Sequence, residues 1–110
     1  MNIDFHCHFY PEAYLKKLEA SKGDVRIEKN EKGEKIILSM GAKAGPVTED
    51  FFDIEVRLDK IKQNRIDMHI LTTPHPGIDR FSPDESAEMA RIINDGLSVV
   101  VKKYPKSFQA

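Results

Sequence analysis

Residues 3–8 read IDFHCH, a stretch in which groups able to do chemistry recur at every second position. On an extended strand alternate side chains share a face, so Asp4, His6 and His8 project one way and Ile3, Phe5 and Cys7 the other. A face made of a carboxylate and two imidazoles is costly to bury without partners. Two chemistries answer that cost: a divalent metal ion, for which neutral imidazole is a good ligand, or hydrogen bonding of both histidines within a sheet. The spacing alone leaves both open. Cys7, on the alternate face, reads as a small buried hydrophobe, and Asp4 as a supporting carboxylate. Further on, TTPHPGIDRF places Thr72, Thr73, His75 and Arg80 at and beyond the end of a strand. There Thr72 and Thr73 could donate to a substrate oxygen and His75 lies just past the strand end, with ordinary turn chemistry accounting for all three equally well; Arg80 could grip a carboxylate but reads rather as a solvated loop arginine. His69, inside IDMHILTT, reads as packed. Arg57 reads as a helix-surface residue with no role in a site.

The supporting elements follow from pattern. A first strand covers about residues 2–7. Pro11 opens a short helix, PEAYLKKLEA, with Tyr14, Leu15 and Leu18 on its apolar side. VRIEK and KIILSM alternate around the turn-rich NEKGE and predict a hairpin at about 25–40, an excursion from the main fold. GAKAGPVTED reads as loop. Asp53 caps a second helix running to about Asn64, with Ile54, Leu58 and Ile61 on one side. RIDMHILTT is the next strand, ending at Pro74. SPDE is a capping box with Pro at the first helical position, opening a helix to about Lys103 whose stripe includes Ala90, Ile93, Leu97, Val100, Val101 and Tyr104. SFQA then begins another strand. Alternating strand and helix predicts parallel βαβ units.

Composition narrows the function classes. The 110 residues carry a net charge of −1, so there is no footprint for nucleic acid or an anionic membrane. No apolar run approaches the roughly 20 residues of a membrane span, and the N-terminus lacks the pattern of a secretory signal. A single cysteine excludes an internal disulfide framework and suits a reducing compartment, so a cytoplasmic location is expected.

The ordered series of segments resembles the amidohydrolase superfamily, in particular the amidohydrolase 2 branch that includes the α-amino-β-carboxymuconate-ε-semialdehyde decarboxylases. His6, His8 and Pro11 in IDFHCHFYPEAYL fill the places of that branch's His-x-His strand and following proline. DIEVRLDKIKQNRIDMHILTTP resembles its first barrel helix and second strand, and SPDESAEMARIINDGLSVVVKKYPKSFQA its second helix and third strand. The resemblance implies a (β/α)8 TIM barrel with a small β-hairpin insertion and a divalent metal, zinc, at the C-terminal mouth. It implies that His6 and His8 are two of the metal ligands, with His75 and Thr73 placed for a small-molecule substrate. Its remaining ligands and its catalytic histidine and aspartate come from later strands. A barrel takes roughly 250 residues, so residues 1–110 are expected to be the N-terminal βα segment of one, with an incomplete metal site and no complete barrel. An exposed sheet edge predicts a homo-oligomer. The branch's decarboxylases carry a substrate-binding arginine near the insertion; KIILSMGAKAG has none, which leaves decarboxylase and hydrolase both open. The alternative is a non-catalytic oligomerising or binding module derived from the same family.

Overall fold

The computed structural model describes residues 1–110, excepting the side chains of residues 44 and 45. Two three-stranded sheets share one apolar core. The first is parallel, in the order β1 (Ile3–His8), β5 (Met68–Thr72), β6 (Phe108–Gln109). Its strands are joined through helices α1 (Glu12–Ala20), α2 (Ile54–Gln63) and α3 (Pro83–Lys103). The second is antiparallel: β2 (Val25–Lys29), β3 (Lys35–Ser39) and β4 (Ala42–Pro46). The β2–β3 hairpin forms with unbroken register from Val25↔Ser39 to Lys29↔Lys35. The expected loop at GAKAGPVTED does not hold throughout, because Ala42–Pro46 pairs with β3 as an edge strand, where proline is tolerated. Nor is this sheet a mere excursion, since Val25 and Ile37 belong to the main core.

Local signals account for the helix ends. Asp53 accepts from the backbone N–H groups of Glu55 and Val56, and Ser82 and Glu85 complete a reciprocal capping box. Each such cap contributes about 1 kcal/mol. Tyr14, Leu15 and Leu18 of α1 and Met89, Ile93 and Leu97 of α3 point into the core formed with Cys7, Leu71 and Phe108 of the parallel sheet. Gly96 permits α1 to approach α3, because a Cβ there would stand 2.4 Å from Cβ of Pro11.

The molecule measures 42 × 34 × 18 Å. The face of the parallel sheet away from that core is open: Phe5 is 73% exposed and Ile3 37%. Parallel sheets ordinarily have both faces covered. His8 and Thr72, paired across β1 and β5, stand at the C-terminal end of this open face.

Candidate metal centre

The first strand does not alternate cleanly. Asp4 pairs with His69 but Cys7 pairs with Leu71, so β1 carries one extra residue between those points. Such a bulge re-aims the side chains on either side of it. The expected grouping of Asp4 with His6 and His8 is therefore corrected: ligand atoms of Asp4, Cys7 and His69 lie within 4.8 Å of one another, on the helix-facing side. The Asp4 carboxylate turns back to accept from the His6 backbone N–H at 3.1 Å. That bond is the largest cause holding its pKa below the usual carboxylate range.

His6 and His8 meet on the open side. Their Nε2 atoms are 2.8 Å apart, with ring centroids at 4.7 Å and ring planes at 54°. One nitrogen must donate and the other accept, so the pair shares a single hydrogen and two ring lone-pair positions converge on one point. A tetrahedral zinc at 2.0–2.1 Å from each nitrogen would separate them by about 3.3 Å. Small ring rotations reach that spacing, so the pair fits two positions of a metal ligand set.

The backbone of His8 is held from the helical side. Arg57, on α2, is only 8% exposed, contrary to its reading as a surface residue. It donates through Nη2 to the carbonyl of His8 and through Nε to the carbonyl of Asp50 at 2.9 Å, and its guanidinium lies 5.8 Å from the Phe9 ring centre. Its Nη1 stands 3.4 Å from Nδ1 of His69. Arginine can only donate, so Nδ1 accepts and Nε2 carries the hydrogen. That Nε2 is buried and has no hydrogen-bond partner among the described residues. Burial first, and then the Arg57 charge, pull the His69 pKa below its ordinary value. Burial likewise pushes the Cys7 thiol up to about 11.

The segment after β5 is tied down by two tyrosines, of which the sequence pattern marks only Tyr14, and only as part of an apolar helix face. Tyr10 donates to the carbonyl of His75 at 2.7 Å, and Tyr14 to that of Gly77 at 2.8 Å. Burial raises both phenols, Tyr10 to about 12, so they remain donors at physiological pH. As a result His75 and His8 line one cleft of about 240 Å3, together with Tyr10, Ile37, Val47 and Phe51. Thr73 donates through Oγ1 to the carbonyl of Phe9 at 3.2 Å and lines a separate open groove, with His75, against α3. Arg80, on the exposed loop, does not line either space.

No protein-family profile matches the chain. Among solved structures it resembles IDCase from Metarhizium anisopliae, crystallised in apo form, with a TM-score of 0.80 and 21% identity over 94% of this chain. It also resembles an amidohydrolase II protein, with a TM-score of 0.60 and 20% identity over 98% of this chain. At such identity the likeness carries the fold. The chain spans about a third of the length of these structures, 32% and 29% respectively. Three successive parallel strands with helices on one side, matched to about a third of larger chains, fit part of a (β/α)8 barrel. No helix among the described residues is long and apolar enough to cross a membrane.

Proposed function

We propose that this chain contributes the metal-anchoring first strand of a metal-dependent decarboxylase or hydrolase of the amidohydrolase 2 type, acting on small carboxylated or cyclic compounds. The observation that carries this reading is the convergence of His6 and His8 Nε2, 2.8 Å apart on the open side of a parallel strand's C-terminal end. That end is where barrel enzymes keep their chemistry. The likeness to an amidohydrolase II protein supports the class. In this reading His6 and His8 hold a divalent ion, zinc, and the other ligands and the general acid/base come from outside residues 1–110. A zinc ion there supplies Lewis acidity, polarising a substrate oxygen or lowering the pKa of a water towards ~7.

The chain's own residues have distinct tasks. Arg57 fixes the His8 carbonyl and so the direction of its ring. Tyr10 holds His75 in the cleft it shares with His8, where its imidazole is placed to meet a polar substrate group. The walls contributed by Ile37, Val47 and Phe51 suit the apolar body of a cyclic substrate. Thr73, whose hydroxyl donates to the Phe9 carbonyl, lines the neighbouring groove that His75 shares. The protein acts in the cytoplasm and as a homo-oligomer, an arrangement that would cover the open face around Phe5.

Turnover on a panel of small cyclic carboxylates, followed as carbon dioxide release and as hydrolysis, tests the reading on the protein that carries this chain. Chelation should abolish turnover and zinc restore it, with no restoration in the His6→Ala/His8→Ala variant. Chelator-resistant turnover would refute it. The second reading, a non-catalytic oligomerising or binding module, is favoured by the exposure of Phe5 and Ile3 on the open sheet face. Absence of turnover, together with loss of self-association in Phe5→Asp, would decide for it.

A further inference from the structure

The reverse side of β1 holds a group that the proposed function does not use. The bulge brings Asp4 to Cys7, and strand pairing sets both beside His69, so that a carboxylate oxygen, a thiol sulfur and an imidazole nitrogen lie within 4.8 Å of one another. His69 is 7% exposed, and its Nε2 lacks a partner among the described residues. A buried polar atom left unpaired is costly, so a buried imidazole with an unpaired nitrogen, next to a carboxylate and a thiol, asks for an occupant.

We propose that Asp4, Cys7 and His69 form a thiolate-containing site for a divalent transition metal of the zinc type, on the helix-facing side of the parallel sheet. One oxygen, one sulfur and one nitrogen leave a fourth tetrahedral position free, on the partly exposed Asp4 side, for a water or for the Asp4 carbonyl that Cys7 Sγ already approaches at 3.3 Å. Tetrahedral coordination needs ligand atoms about 3.3–3.6 Å apart, a contraction that rotation of the Asp4 and Cys7 side chains supplies. The thiolate selects zinc, cobalt or cadmium over magnesium and calcium. Ligation releases the thiol proton of Cys7 to solvent. The hydrogen on His69 Nε2 moves to Nδ1, which displaces Arg57 from its longest contact, at 3.4 Å, while its two bonds to backbone carbonyls remain. The charges then close: the dication is balanced by Asp4 and Cys7, and the Arg57 guanidinium stays hydrogen-bonded. The site stands whether or not His6 and His8 hold a metal.

Cobalt(II) alone, titrated into the reduced, chelator-stripped chain, tests this. The expected result is a saturable thiolate-to-cobalt charge-transfer band in the near ultraviolet. It should be absent in Cys7→Ser, retained in His6→Ala/His8→Ala, and shifted to at least ~10-fold weaker binding in His69→Gln and in Asp4→Asn. Asp4→Asn keeps the oxygen that accepts from the His6 N–H and sits at a partly exposed position, so it decides the matter should His69→Gln fail to fold. The proposal is overturned by a folded wild-type chain with no such band, by a band whose affinity Asp4→Asn leaves unmoved, or by a band lost with His6 and His8.

Discussion

The two faces of β1 set similar groups in opposite surroundings. On the open face His6 and His8 meet in solvent, hold each other through a single hydrogen bond, and are free to part for an ion. On the helix-facing side Cys7 and His69 are buried, Cys7 in one core with Leu71, Phe108 and Ile61, and a polar atom there is either paired within the fold or, like Nε2 of His69, left unpaired among the described residues. Arg57 joins the two, with one nitrogen on the His8 carbonyl and another against His69. A bulge one residue long decides which side chain goes where. The lesson is that donor type alone does not define a site; desolvation decides whether a donor is available or committed.

The contrast can be broken most directly at its two phenylalanines. Phe108 is fully buried against His69 and Tyr104, whereas Phe5 is 73% exposed. Phe108→Ala should cost about 3–5 kcal/mol in urea unfolding, and Phe5→Ala no more than ~0.5 kcal/mol. Equal losses would mean that the open face is covered in solution. Next in size is the bridge. Arg57→Met strands the carbonyls of His8 and Asp50 and should cost about 1–3 kcal/mol. It should also let the His69 pKa rise, since one cause of its depression is gone; NMR titration of the ring would follow this. An unmoved His69 would sever the link between the faces.

The smallest effect concerns acid. His69 titrates below its ordinary value of 6.5 in the folded chain. Below that value the unfolded chain binds a proton that the folded chain does not, so stability present above about pH 6.5 falls as pH drops through the window beneath it. Urea midpoints should decline from about pH 7 to about pH 5.5, and His69→Gln should flatten that decline. An identical slope in the variant would place the proton elsewhere.

Much of this could be read in the sequence because it depends on neighbouring residues. The capping box at Ser82, the Asp53 cap and the β2–β3 hairpin follow from local chemistry. So does the juxtaposition of His6 and His8, which a single strand suffices to produce. What escaped depends on contacts far apart in the chain. The bulge shows only once β1 is registered against β5, and with it Asp4 changes sides. Arg57 looks like any charged helix residue until Asp50 and His8 present carbonyls to it. Residues 42–46 carry the glycine and proline of a loop, yet the waiting edge of β3 makes them a strand. Tyr10 and Tyr14 show apolar bodies to a sequence reading, while their hydroxyls hold a loop more than 60 residues away.

The central claim is that the two imidazoles of the open face form a metal-binding pair. Calorimetric titration with zinc in a Cys7→Ser background, which silences the buried group, isolates it. Zinc should bind the parent chain, and His6→Ala/His8→Ala should weaken that binding at least ~10-fold with the fold intact by circular dichroism. Zinc affinity unchanged by the loss of both imidazoles would contradict the account.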